Sequence, residues 1–417
     1  MLSLSIIFFS SIILTTPEFR SFMLLLPKTS QLPDDPILGL IPLYNQDPRP
    51  EKMNLAIGGY KDGNGLPVVM NAVRKAELAL YEQHLNKEYL PIDGDPLFRS
   101  ETIKLIFGQD SSLIPANSIH CAQTIGASGA LTVGAEFLKE LNIHSIAISD
   151  PTWTNHSSLF HHAGLQITEY SYYDRITHEI NFEKMCDSIN RLPQGTAILL
   201  QTCCHNPTGC DPTEEQWEYL SSLIDDRGLF PFFDCAYQGF DRGIAEDTRG
   251  IRIFTKKNIP LCIAYSYSKN FGLYGERVGA LCTITGNSDS IEVRSHINRL
   301  IRGNYSSPPL QGARIVTTIL TNPELKNEWN IQLDQMRERI YTMRLSLADK
   351  LAKKISEDFD FVKKQRGMFG FIKTNPDQIM ALREQYGIYM PLSGRISIPG
   401  LTEHNIDAFV DALKNVF

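Results

Sequence analysis

From about residue 120 the chain alternates between two hydrophobic patterns. "ASGALTVGAEFLKEL", "NHSSLFHHAG", "NFEKMCDSINRL" and "DPTEEQWEYLSSLIDDRG" repeat apolar residues every three or four positions, which predicts helices. The second stops at Gly164; the fourth has Pro212 near its start and Gly228 after its end. Between them, "SIAISDP", "LQITEYSYYD", "TAILLQTCCHNPTG", "LFPFFDCAYQGF" and "PLCIAYSYSKN" predict short strands that pass into turns or loops. Strands alternating with helices predict an α/β fold with a mostly parallel central sheet covered on both faces. After residue 310 the pattern changes. "NEWNIQLDQMRERIYTMRLSLADKLAKKI" predicts one long amphipathic helix, a bridge to a smaller domain ending near "AFVDALKNVF". Residues 24–55, punctuated by six prolines, predict an extended arm that leans on something else.

In open parallel sheets a ligand sits outside the carboxyl ends of the strands. Four polar clusters fall there: Asp150–Trp153, Asn206–Gly209, Asp234–Tyr237 and Ser266–Lys269. An isolated lysine is usually a solvated surface residue, but Lys269 follows an apolar strand and keeps this company. A lysine amine forms a Schiff base with an aldehyde. Asp234 is suited to pair with a heterocyclic nitrogen, and Tyr237 and Asn206 offer a phenol and an amide beside it. Ser266, Ser268 and Arg277 suit a phosphate. "GASGAL", with Ala127 and Ser128, opens a helix whose backbone N–H groups can approach an anion, and Trp153 offers a flat face. Taken singly, "GASGAL" is more often a plain helix start and Asp234 a hydrogen-bonded loop acid. Jointly they point to pyridoxal phosphate, whose carbonyl, ring nitrogen and phosphate need these partners.

Composition narrows the alternatives. The 417 residues are 42% hydrophobic and 21% charged, ordinary for a globular chain long enough for two domains. A net charge of −7, with no basic tail, argues against nucleic acid as a partner. Eight scattered cysteines without a CxxC pair predict reduced, mostly buried thiols of a cytoplasmic protein. Cys203, Cys204 and His205 lack the usual spacing of metal ligands. The apolar start "MLSLSIIFFSSIILTT" has no preceding cation, no A-x-A cleavage site, and too many serines to span a membrane. Residues 1–22 are expected to be an upstream extension, with translation starting at Met23.

"EYLPIDGDP", "DPTWTNH", "TCCHNPTGCDPT", "FDCAYQGF", "YSYSKNFGLYGERVG", "IRGNYSSPP" and "SGRISIPG" together resemble the class I aspartate and aromatic amino-acid aminotransferases, from about Asp35 to the end. The resemblance implies fold type I of the pyridoxal-phosphate enzymes and a homodimer with active sites at the subunit interface. It implies residues 1–36 as extension and arm, 37–66 with 336–417 as the small domain, and 67–335 as the large cofactor-binding domain. Lys269 then matches the Schiff-base lysine and proton carrier, and Asp234 the acid that keeps the ring nitrogen protonated. Tyr237 and Asn206 match the partners of the cofactor 3′-oxygen. Ser266, Ser268, Arg277, Ala127 and Ser128 match the phosphate cup, with Tyr89 arriving from the other subunit. Trp153 matches the ring-stacking tryptophan and His156 the partner of the aspartate. Arg395 matches the grip on the substrate α-carboxylate. Arg302 matches the side-chain carboxylate site donated across the dimer, and Gly58 a backbone approach to substrate.

The implied reaction is transfer of an amino group from aspartate, glutamate or an aromatic amino acid to 2-oxoglutarate or oxaloacetate. Arg302 favours dicarboxylates. "NYSSPP", "QRGMF" and Ser128 lean toward the aromatic branch, Lys61 toward the aspartate branch, and Gly59 and Glu88 match neither. A lyase or decarboxylase on the same fold is the alternative reaction. A cofactor-binding regulator would need a DNA-binding module for which the first 35 residues are too short. A nicotinamide dehydrogenase would need a GxGxxG after a strand, and there is none. The sharp turn at Asn206–Pro207 predicts a cis peptide bond.

Overall fold

The chain is described from a computed structural model, in residues 33–108, 112, 117–286, 290–355 and 359–417. The expectation for residues 1–22 lies outside the described residues. The centre is a seven-stranded sheet of β1 (Ile119–Ile125), β2 (Ser145–Asp150), β3 (Gln166–Ser171), β4 (Ala197–Gln201), β5 (Phe230–Cys235), β6 (Leu261–Ser266) and β7 (Val278–Ile284). Their spatial order is β1-β7-β6-β5-β4-β2-β3. All neighbours are parallel except that β7 runs antiparallel to both β1 and β6. The central strands β4, β5 and β6 are buried almost throughout, as expected of strands covered on both faces.

The predicted helices form close to their expected bounds. Helix α1 (Gly126–Glu140) leaves β1 without an intervening loop. Its Gly134 lies against Phe232 of β5, where an added Cβ would stand 2.4 Å from the ring. Helix α2 (Glu214–Asp226) begins with a reciprocal cap between Thr213 and Gln216, just after Pro212. The long helix α3 (Pro323–Ile355) has 33 residues, about 50 Å of rise. Its buried stripe runs through Trp329, Leu333, Met336, Ile340, Met343 and Leu347, at three- and four-residue spacing. Trp329 stacks on Phe271 at 4.5 Å and donates its Nε1–H to the Asn270 carbonyl at 2.7 Å. At the other end α3 packs against the helix Ile406–Val416. The strands β8 (Phe369–Phe371) and β9 (Arg395–Ser397) pair antiparallel beside it.

The arm differs from expectation. Residues Leu40–Gln46 are helical rather than extended. Pro42 stands in the first turn, where an α-helix leaves N–H groups without partners, so its missing donor costs no bond. The arm does lean on another part of the chain. Arg49 pairs with Asp47 and donates to the carbonyls of Arg383 and Glu384, and Tyr389 donates to Asp47 at 2.8 Å. The segment predicted as one strand from Leu165 to Asp174 breaks at Tyr172 into β3 and a two-residue strand. Among the described residues no helix is long and apolar enough to cross a membrane.

Gly279 in β7 sits where three backbones converge. An added Cβ would lie 2.5 Å from the Gly126 carbonyl carbon and 2.6 Å from the Tyr265 carbonyl oxygen. Both are backbone atoms held in paired elements. Gly279→Ala is therefore expected to destabilise the fold by about 2 kcal/mol or more, read as a lowered urea midpoint. An unchanged midpoint would contradict this packing.

Candidate active site

The carboxyl ends of β1, β2, β4, β5 and β6 open onto one cavity of about 520 Å³. Lining it are Lys269, Asp234, Tyr237, Asn206, Ser266, Ser268, Arg277, Ala127, Ser128, Trp153, Arg395 and Gly58. Twelve of the fifteen site residues expected from the sequence therefore converge. His156 lies directly behind. Tyr89 and Arg302 do not line this cavity, and both are exposed, Tyr89 to 91%.

Lys269 follows β6 and is half-buried, with its Nζ 4.9 Å from the centre of the Tyr237 ring. Burial lowers its pKa to about 8. Asp234 works in the opposite direction, while Arg277 and Arg395 add to the lowering. The loop after Lys269 is anchored from beneath. Asn270 donates to the Tyr265 hydroxyl at 2.9 Å, which donates to Gln238 at 2.6 Å.

Asp234 ends β5. Its Oδ2 meets His156 Nε2 at 3.0 Å, and His156 Nδ1 meets the Thr152 hydroxyl at 2.8 Å. Its Oδ1 is buried with no hydrogen-bond partner among the described residues. A buried carboxylate oxygen left alone is costly, so the site is complete only with a donor from elsewhere.

Asn206 is clamped by a reciprocal pair of bonds. Its backbone N–H donates to Gln201 Oε1 at 2.8 Å, and Gln201 Nε2 donates to its carbonyl at 3.0 Å. Asp211 closes the loop from the far side, accepting the Cys204 and His205 N–H groups at 2.6 and 2.9 Å. His205 is spanned by Ser149 and Thr208, at 2.9 Å each. The Asn206–Pro207 bond is cis, as expected, and Asp150–Pro151 is cis as well. The Asn206 side chain donates to the Tyr237 hydroxyl at 3.4 Å and accepts from Arg395 Nη1 at 3.1 Å.

Arg395 is 3% exposed and stacks over the Phe369 ring at 4.2 Å. It also donates to the Ala56 carbonyl, while its Nε has no partner among the described residues. Burial lowers its pKa to about 10, so it stays charged at neutral pH. Gly58 lies against the same ring, where a Cβ would come 2.4 Å from Phe369 Cζ. On the opposite wall Ser266 accepts from the Ser268 N–H at 3.1 Å, and Arg277 donates to Ser268 at 3.4 Å. Gly126 takes φ +70° beside them, and a Cβ there would stand 2.6 Å from Arg277 Nη2, so the cradle needs glycine twice over.

Gln201, Tyr274, Phe369 and Asp211 also belong to the site, though the strand-end pattern does not single them out. Gln201 is the polar end of the run "AILLQ" and was there to be found. Tyr274, which accepts the Tyr60 N–H at 2.8 Å, and Phe369 look like ordinary core aromatics in the sequence. Asp211 gives no sign that its partners are the backbone six and seven residues earlier.

The family described as "Aminotransferase class I and II" matches residues 50–413, and the chain belongs to it. Aspartate aminotransferase of Escherichia coli (strain K12) is 44% identical over 387 residues, 92% of this chain and 98% of that one. The cytoplasmic aspartate aminotransferase of Oryza sativa subsp. japonica is 43% identical over 389 residues, 92% and 96% of the two chains. Among solved structures, the aromatic-amino-acid aminotransferase of Burkholderia pseudomallei, covalently bound to pyridoxal phosphate, superimposes with a TM-score of 0.91. That pair is 42% identical, over 93% of this chain and 98% of the other. The chain is thus a transaminase of α/β architecture.

In the cofactor-free protein the Lys269 amine should become reactive as pH rises through about 8, because a lowered pKa frees the neutral amine earlier. Exposed lysines should keep gaining reactivity toward about 10.4. Labelling with trinitrobenzenesulfonate, followed by peptide mapping, measures both in one sample. Asp234→Asn should move the Lys269 midpoint lower still, since that carboxylate opposes the effect of burial. A midpoint shared with the surface lysines would contradict the site's electrostatics.

Proposed function

We propose that the chain moves the amino group of aspartate, glutamate or an aromatic amino acid to 2-oxoglutarate or oxaloacetate, with pyridoxal phosphate as cofactor. One observation carries this reading: a lysine amine shares a cavity with an oxygen of Asp234 and an Nε of Arg395 that have no partner among the described residues. These fit the cofactor and its substrate in turn. Oδ1 of Asp234 is available to a ring N–H, and the Nε edge of Arg395 to a carboxylate. The Gly126 turn, Ser266, Ser268 and Arg277 fit a phosphate. When bound, pyridoxal phosphate supplies an aldehyde that condenses with amines and a ring that accepts the electron pair of the substrate Cα.

The protein's part follows from the geometry. Asp234, oriented by His156 and Thr152, holds a proton on the ring nitrogen. Lys269 is the attachment point and, once displaced by substrate, the base that takes the Cα proton and returns it. Burial and the nearby guanidinium groups of Arg277 and Arg395 favour the neutral form that a base requires. Tyr237 and Asn206 hold the ring oxygen, and Asn206 ties that hold to Arg395. Ala127 and Ser128 present backbone N–H groups to the phosphate, and Trp153 covers the ring. Arg395 fixes the α-carboxylate, and Gly58 leaves room for substrate beside Phe369.

We further infer a cytoplasmic homodimer in which Tyr89 and Arg302 complete the partner's site, the first at the phosphate and the second at a substrate side-chain carboxylate. Their exposure outside their own cavity supports this. The similarity to aspartate and aromatic-amino-acid aminotransferases alike supports a broad substrate range. Residues 37–66 with 336–417 form the small domain in this reading and 67–335 the large one, with Arg395 and Gly58 brought by the small.

The direct test follows the visible band of the bound cofactor. It should disappear on adding aspartate or tyrosine and return with 2-oxoglutarate. A band lost but not restored by any 2-oxo acid would overturn the assignment. Arg395→Lys should lower kcat/KM about a hundredfold, on the order of 3 kcal/mol, because an ammonium cannot make the paired contact. Equal kcat/KM in the variant would remove Arg395 from the carboxylate site.

A further inference from the structure

Cys121 on β1 and Cys282 on β7 face each other directly in antiparallel register. Both are buried, 2% and 0% exposed, and neither lines the active-site cavity. Their sulfurs are 2.9 Å apart, with the Cys282 S–H directed at Cys121 Sγ. That is less than 1 Å longer than a disulfide bond of about 2.05 Å.

The backbone suits a bond as well. The Thr285 N–H donates to the Ser118 carbonyl at 3.0 Å, so Ser118 and Thr285 are a hydrogen-bonded pair. Pairs alternate along an antiparallel ladder, and three steps further on Cys121 and Cys282 are of the other kind. In such pairs the Cα atoms stand about 4.5 Å apart and the side chains come closest. This falls within the roughly 4.4–6.8 Å that disulfides span.

We propose that Cys121 and Cys282 form a redox-modification site, a dithiol that a hydroperoxide converts into an intrachain disulfide between β1 and β7. With hydrogen peroxide, the Cys121 sulfur attacks one peroxide oxygen. An S–O bond forms, the O–O bond breaks, and the other oxygen takes the Cys121 thiol proton and leaves as water. The Cys282 sulfur then attacks Cys121; the S–S bond forms, the S–O bond breaks, and the Cys282 proton leaves with that oxygen as a second water. Two electrons pass from the sulfurs to the peroxide. The Cys282 S–H points at Cys121 Sγ, so the two sulfurs already stand in line for the second step. Burial makes the reaction slow, so the half-buried Cys186 oxidises first. The link would stand four residues from Ile125 and from Val278, which adjoin Gly126 and Arg277.

The test treats the cofactor-loaded full chain with hydrogen peroxide, well past complete oxidation of Cys186, then unfolds, alkylates and digests it with trypsin. Cys121 and Cys282 are the sole cysteines of fragments 105–139 and 278–294. The expected product is these two fragments joined, two hydrogens lighter than their sum, and released by a thiol reductant. The oxidised protein should also unfold at higher urea concentration, reversibly with reductant, since the link closes a long loop. Cys121→Ser should show neither change. Alkylated Cys121 and Cys282, separate sulfinic acids on each, or bonds to other cysteines would overturn the proposal.

Discussion

A primary amine at the end of β6 shares its cavity with two guanidinium groups and one carboxylate. This arrangement governs the site. Burial and the two cations make the amine easier to deprotonate, and Asp234 limits the effect, leaving a pKa near 8. His156 and Thr152 hold one oxygen of Asp234 in place, and the other has no partner among the described residues. An amine in water would be protonated almost entirely at neutral pH, and one buried without a carboxylate nearby would find it harder to take up a proton in turn.

Holding these groups in place requires loops as well placed as the strands they leave. The protein achieves this with backbone clamps beneath the cavity. Gln201 and Asp211 fix the Asn206 loop, Trp329 and Tyr265 fix the segment after Lys269, and Arg344 fixes the turn before Phe369. Arg344 is 1% exposed and donates to the Gly367 and Phe369 carbonyls at 2.6 and 2.8 Å. A buried cation of this kind holds a bend that hydrophobic packing alone would leave free. The long helix α3 carries both Trp329 and Arg344, so one rigid element braces two sides of the site.

The strands and the cavity were legible because buried parallel strands read as apolar runs, and because such sheets present chemistry at one end. Lys269, Asp234 and Asn206 each stand where a run stops. The helix at Leu40–Gln46 was hidden by Pro42, whose usual breaking effect does not apply in a first turn. Asp211 and Arg344 were not legible, because their partners are backbone groups brought near only by the folded loops. Tyr89 and Arg302 were named from motif resemblance, and both stand exposed outside their own cavity. Cys121 and Cys282 are 161 residues apart in sequence and became a pair only through the β1–β7 register.

Borohydride reduction of the cofactor-loaded protein, followed by peptide mapping, shows which lysine carries the cofactor. The reduced cofactor should be fixed to Lys269 alone, and adding an amino-acid substrate before borohydride should free this lysine. Cofactor fixed to any other lysine, or to Lys269 with and without substrate alike, would contradict this role for Lys269.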